Sequence, residues 1–295
     1  MVSMAKPSPF RFSVIIPTFN RLESTQKAIL SVLVQTFPAE EIIVIDDGST
    51  DDSSQILSQQ YPNLKWIFQE NHGVSHARNQ GVENASGNWI AFLDSDDTWE
   101  PTKLEKQVEF LQSRSDLSLC HTDENWIRNQ NPVKQPAYLN KSDVGIFSKS
   151  LIRCIICPSS VVMQKSVFIK LGKFREDLPV CEDYDLWLRT IIGYKIGYLP
   201  LKLVTKYGGH QDQLSIQYWG MDRFRVQSLE ALLKNSALQD DKRIQIIETI
   251  IQKLSLLAQG FAKHKKNDES KTFLKKQLNY KKLLENTLAQ SLPLT

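Results

Sequence analysis

Asn88-Trp89-Ile90-Ala91-Phe92-Leu93-Asp94-Ser95-Asp96-Asp97 reads as an apolar strand that stops on a cluster of carboxylates. A buried strand cannot keep unpaired charge in its interior, so these acids mark the point where the chain leaves the core. Alternate residues of an extended segment point the same way, which lets Asp94 and Asp96 converge on one ligand. Hard oxygen donors of this kind suit Mg²⁺ or Mn²⁺ carrying phosphate. The pattern occurs once before, where Glu41-Ile42-Ile43-Val44-Ile45 ends at Asp46-Asp47-Gly48-Ser49. Two strands ending in acids suggest a nucleotide-diphosphate site at the carboxyl edge of a sheet.

Working outward, Phe12 to Pro17 reads as a first buried strand, with Asn20 and Glu23 spaced as a capping box for the helix that follows. Glu41–Ile45, Leu64–Phe68 and Asn88–Leu93 read as further strands, separated by a short helix opened at Ser49 and closed by Pro62, and by helices over 75–84 and about 101–112. Ser49 and Asp52 form a second capping pair. This alternation predicts an α/β fold with a mostly parallel sheet flanked by helices. After residue 115 the rhythm changes. Strands are expected over 118–127, 159–163, 194–199 and 203–207, a loop over 129–144, and helices over 166–171 and 182–191. From Gly220 the pattern is helical, with Ile247, Ile250, Ile251, Leu254, Leu257 and Phe261 on one face. The expected division is a domain over 1–219, with halves at about 12–115 and 116–219, and a helical extension over 220–295.

The 295 residues carry a net charge of +3, too little to imply a nucleic-acid partner. The charge is uneven. Residues 201–295 hold 16 Lys/Arg against 9 Asp/Glu, which sets a basic tail beside an acidic remainder. No apolar run is long enough for a membrane span, and the first residues have no apolar signal core, so a cytoplasmic protein is expected. Cys120, Cys154, Cys157 and Cys181 are too scattered for a disulfide scaffold. Cys154 and Cys157 have CxxC spacing, but a zinc site needs a second pair, and His121 beside Cys120 makes a weak one. Reduced thiols are the expectation. Trp89, Trp99 and Trp187 read as packing residues.

Five ordered blocks then carry a resemblance. Val14-Ile15-Ile16-Pro17-Thr18-Phe19-Asn20-Arg21, Ile45-Asp46-Asp47-Gly48-Ser49-Thr50-Asp51, Gly73-Val74-Ser75-His76-Ala77-Arg78-Asn79, Leu93-Asp94-Ser95-Asp96-Asp97 and Cys181-Glu182-Asp183-Tyr184-Asp185-Leu186-Trp187 resemble family 2 inverting glycosyltransferases of the GT-A fold. The resemblance covers roughly residues 12–210. It implies transfer of one sugar from a nucleotide-diphospho-sugar donor to a hydroxyl acceptor, a glycan or a lipid-linked one, in surface polysaccharide or glycoconjugate synthesis. No Gln-x-x-Arg-Trp motif of the processive synthases is present. By the same resemblance Asp94, Ser95 and Asp96 form the DXD motif. Asp96 would hold the divalent metal, and Asp94 would contact the ribose or share the ion. Pro17, Thr18, Phe19 and Asp47 would receive the nucleobase, and Arg78 would meet the nucleotide or its phosphate. Asp183 would be the general base, and His210 would give a further metal or phosphate contact.

Two other readings stay open on the residues alone. A sugar-nucleotide binder without turnover would keep the pocket and lack a working base. A nucleotidyltransferase would need a Gly-rich phosphate loop after the first strand, and Pro17-Thr18-Phe19-Asn20-Arg21 has no glycine. The basic C-terminal helices offer peripheral contact with an anionic inner membrane face.

Overall fold

A computed structural model describes residues 9–136, 139, 141–209 and 217–291. The first half alternates as expected: β1 (Phe12–Thr18), α1 (Leu22–Leu33), β2 (Glu41–Asp47), α2 (Ser53–Gln60), β3 (Lys65–Gln69), α3 (Val74–Glu83) and β4 (Trp89–Phe92). There follow β5 (Asp97–Trp99), α4 (Lys103–Ser113), β6 (Leu119–Arg128), β7 (Asn131–Val133), α5 (Ile146–Ile152), β8 (Val162–Gln164), α6 (Lys165–Lys170), α7 (Glu182–Gly193) and β9 (Ile196–Gly208). The chain closes with α8 (Asp222–Leu233), α9 (Asp240–Lys263) and α10 (Asn267–Ser291).

The strands form one sheet in the order β3-β2-β1-β4-β8-β6-β9-β5, with β7 paired to β6. The parallel half runs from β3 to β4, where β1 pairs in register with both β2 and β4. Beyond β4 the sheet is mixed. Strand β8 is antiparallel to β4 and β6, and β9 is parallel to β6 but antiparallel to β5. Apolar runs show that a segment is a strand but not which way it runs, because direction depends on the connection that delivers it.

Period-two alternation in β1 divides the core. Phe12, Val14 and Ile16 face α1 and α4, packing with Ala28, Ile29, Leu104 and Val108. Ile15, with Ile43, Ile45, Ile90 and Phe92, faces α3, α6 and α7. Helix α3 lies so close to the sheet that a Cβ on Gly81 would stand 2.4 Å from Ile15 Cγ2, so only glycine fits there. A third core joins Phe147, Leu151, Tyr184 and Leu188 of α5 and α7 to Leu229, Ile246, Ile250 and Leu254 of α8 and α9. The C-terminal helices thus share a core with the helix that begins at Glu182. Trp89, Trp99 and Trp187 are buried, as expected of packing residues.

Several local expectations are revised. Asn20 does not cap α1; its Oδ1 accepts from the backbone N–H groups of Thr50 and Asp51, at 2.7 and 3.3 Å. The side chain joins two loops instead, and no side chain caps α1. Ser49 likewise turns back to Asp46, donating from Oγ at 2.5 Å. The strand expected from Ser159 begins only at Val162, because Pro158–Ser160 form a single 3-10 turn. The two strands expected over 194–207 are one, β9, which passes an irregularity opposite Thr122–Glu124. Within 129–144, expected as loop, β7 makes a short hairpin with β6.

Candidate active site

Strands β1, β2 and β4 run parallel, so their carboxyl ends open on the same edge of the sheet. Thr18 lies opposite Asp46, and Ile15 lies opposite Phe92, with the Leu93 N–H donating to Ile15 O at 3.0 Å. There the chain does not stay extended. The Asp97 N–H donates to Asp94 O at 2.9 Å and closes a tight turn. The acids are gathered by this turn rather than by alternation along a strand. Backbone polar groups leaving the sheet must find partners, and a turn supplies one at once.

The turn forms one wall of a cavity of about 290 Å³. Asp94, Ser95, Asp96 and Asp97 line it from the turn, Pro17 and Arg21 from the end of β1, and Glu182 and Asp183 from the start of α7. Arg78 and Lys206 complete its charged lining. Of the residues singled out in the sequence, Pro17, Arg78, Asp94, Ser95, Asp96 and Asp183 meet in this one space. Thr18, Phe19 and Asp47 stand outside the wall. Thr18 is buried on Thr25 (Oγ1–Oγ1, 2.6 Å) and Phe19 is exposed. His210 lies outside the described residues.

Asp47 is largely committed to local structure. It accepts from Gln69 Nε2 at 2.7 Å, from the His72 N–H at 2.9 Å and from the Gly73 N–H at 2.8 Å. A carboxylate has about four acceptor positions, so three are spent on fixing the loop into α3. Gly73 in that loop has φ +90, a conformation glycine adopts without strain.

Arg78 lines the cavity and is ion-paired at both ends. Its guanidinium is buried, with Nη2 donating to Asp94 Oδ1 and Nη1 to Glu182 Oε1, both at 2.6 Å. Both terminal nitrogens are therefore held by carboxylates, one from the β4 turn and one from α7. Arg78 fixes the two acidic walls relative to each other. Burial works against both ions, yet the Arg78 charge holds the Asp94 carboxyl below its usual range. At Glu182 burial and the neighbouring Asp183 charge outweigh Arg78, and its carboxyl is pushed up to about 7.

Asp96 pairs with Arg21, whose Nη1 stands 3.0 Å from Oδ2. Asp97 is buried and accepts from Ser159 Oγ at 2.6 Å; burial first, then the charges of Asp96 and Asp94, push it up to about 8. Asp183 accepts from Cys154 Sγ at 3.2 Å and from the Tyr184 N–H at 2.6 Å. The Cys154 thiol is driven up by burial and by Asp183, so it stays protonated and serves as a donor. The four cysteines are free thiols, as expected.

Among the described residues, Asp94, Asp97 and Cys157 bring ligand atoms within 4.8 Å of one another. Burial pushes the Cys157 thiol up to about 12, which leaves it a poor partner for a hard cation. Asp94 and Asp96 keep about a fifth to a quarter of their side chains exposed, at 24% and 22%. Oxygen donors facing an open cavity fit a hard divalent ion.

Four participants were not singled out beforehand. Arg21 follows Asn20 in a recognisable block, Glu182 precedes Asp183, and Asp97 follows Asp96; each had a sequence neighbour as its signal. Lys206, inside β9, had none.

The family model described as glycosyl transferase family 2 matches residues 13–172. The chain belongs to that family of glycosyltransferases. An uncharacterized glycosyltransferase of Rickettsia felis is 35% identical over 199 residues, covering 65% of this chain and 32% of the relative. A putative teichuronic acid biosynthesis glycosyltransferase, TuaG of Bacillus subtilis, is 44% identical over 108 residues, covering 35% of this chain and 42% of TuaG. The chain therefore spans about a third to two fifths of the length of these relatives. Among solved structures, S. aureus TarS 1-349 in complex with UDP-GlcNAc superposes with a TM-score of 0.68 at 18% identity, covering 92% of each chain. The mannosyltransferase PcManGT from Pyrobaculum calidifontis, in complex with GDP-Man and Mn²⁺, gives a TM-score of 0.59 at 16% identity, covering 97% of this chain and 89% of PcManGT. These likenesses establish the GT-A fold. Among the described residues, no helix is long and apolar enough to cross a membrane.

Proposed function

We propose that the chain is an inverting, divalent-metal-dependent transferase that moves one sugar from a nucleotide-diphospho-sugar to a hydroxyl acceptor. One observation carries this reading. Acids from the β4 turn and acids from the start of α7 face each other across a single cavity, tied together by Arg78. Complexes of structural neighbours with UDP-GlcNAc and with GDP-Man and Mn²⁺ support a donor of that class and a divalent ion.

Asp94 and Asp96, helped by Asp97, would hold Mg²⁺ or Mn²⁺, which supplies Lewis-acid stabilisation of the departing diphosphate. The remaining work falls to the protein. The acceptor oxygen attacks the anomeric carbon opposite the leaving group, and the bond from that carbon to the diphosphate oxygen breaks, its electron pair leaving with the diphosphate. The hydroxyl proton passes to the Asp183 carboxylate. The Cys154 thiol and the Tyr184 N–H fix that carboxylate. Arg78 holds α7 at a set distance from the donor-side turn, so the base and the reacting carbon stay aligned.

A glycan or lipid-linked acceptor fits the relationship to TuaG. Residues 1–219 would form the catalytic unit, and 220–295 a helical extension docked on α5 and α7. Pro17, Thr18, Phe19 and Asp47 at the ends of β1 and β2 would receive the base.

The test uses the full chain with Mn²⁺, UDP- and GDP-sugars and a mixed acceptor pool. Asp183→Asn is expected to abolish transfer while retaining binding of the nucleoside diphosphate. Asp96→Ala is expected to lose both. Full transfer by either variant overturns the corresponding role.

A further inference from the structure

Among the described residues, three cations line the cavity, against five carboxylates. Arg78 is held by Asp94 and Glu182, and Arg21 by Asp96. Lys206 is different. It lies opposite Asp97 across the β5–β9 pair and beside Trp126 across the β6–β9 pair, so it projects on the same face of the sheet as Asp97. Among the described residues its ammonium makes no hydrogen bond or ion pair, and its nearest ring, Trp126, is 6.0 Å away. At that distance a cation–π contact is at its outer limit.

An ammonium ion with three donors, half-buried and unpaired, gives up hydration without protein partners in return. Burial works against its charge, but the acidic groups around it, Asp97, Glu124 and Asp94 among them, hold its pKa well above the ordinary lysine value, so it remains a cation. A donor's diphosphate brings strong acceptor oxygens and negative charge into a space already walled by acids. A cation with open donor positions is what that ligand requires.

We propose that Lys206 Nζ binds the diphosphate of the donor, as a protein-borne cation acting beside the divalent ion. Arg78 is left to brace the walls. The inference rests on the nucleotide-sugar reading and adds a residue to it. In the reaction Lys206 forms and breaks no bond; its charge offsets the negative charge gathered on the departing diphosphate oxygen.

Calorimetric titration of the full chain with UDP, GDP, uridine and guanosine, with Mg²⁺ present, tests it. Lys206→Met is expected to weaken nucleoside-diphosphate binding about tenfold or more, as befits a lost charge-assisted hydrogen bond, and to leave nucleoside binding within about twofold. Lys206→Arg is expected to keep most of the diphosphate affinity. An unchanged diphosphate affinity in Lys206→Met overturns the proposal, and so does an equal loss of diphosphate and nucleoside. The nucleotide-sugar reading itself fails differently: the wild-type chain then binds neither UDP nor GDP.

Discussion

Replacing Arg78 by Met tests the central joint of the site. The substitution removes one buried cation and strands two carboxylates. Glu182 is 7% exposed and Asp94 is 24% exposed, so Glu182 bears the larger share of the cost. Removing one partner of a buried ion pair typically costs about 3–5 kcal/mol. Met fills much of the vacated volume beside Phe174, over whose ring the guanidinium stands at 5.2 Å, so the loss is electrostatic rather than a cavity effect. The assay is urea unfolding of wild type, Arg78→Met, Glu182→Gln and the double variant, at about pH 9, above the value of about 7 to which Glu182 is pushed, so that its carboxyl is ionised in the wild type. Arg78→Met is expected to lose about 3–5 kcal/mol. The double variant is expected to be more stable than Arg78→Met, because one stranded charge is gone. A loss below about 1 kcal/mol in Arg78→Met refutes the reasoning, being the size of an exposed pair. So does a double variant in which the two losses simply add.

Two further outcomes are expected. Lys103 is fully buried, donates from Nζ to Gln107 Oε1 at 2.8 Å, and burial pushes it down to about 7 from 10.5. Between those values the unfolded chain binds the extra proton, so this residue makes wild-type stability rise with pH from about 7 to 10.5. Lys103→Met is therefore expected to exceed wild type at pH 6 by a few kcal/mol, roughly 1.4 per unit of the shift, with the gain fading toward pH 10; thermal melts across that range showing a constant difference refute it. Helix α10 exposes Leu274 and Leu278 beside Lys271, Lys275 and Lys282, and we propose that this basic, apolar face meets an anionic lipid surface. Flotation with phosphatidylglycerol vesicles is expected to fall sharply in a Lys275→Glu/Lys282→Glu variant, and equal flotation sinks the idea.

The sequence by itself determined the strand–helix alternation of residues 12–113, the acidic ends of β2 and β4, and the block order that places the chain in its family. These are local properties. A buried strand needs a continuous apolar run, and a charge can follow it only where the strand leaves the core. Tertiary structure decided what those residues touch. Asn20 carries every mark of a helix cap, yet its amide is spent on Thr50 and Asp51 because β1 and β2 end side by side. Arg78 carries no local sign of its brace across the site, which exists only because α7 brings Glu182 to its Nη1, 104 residues along the chain. Lys206 has no motif around it; it enters the site only because β9 pairs with β5 and sets it opposite Asp97. Pairing partners across a sheet and across a buried ion pair are fixed by the global packing minimum, which no short window of sequence contains.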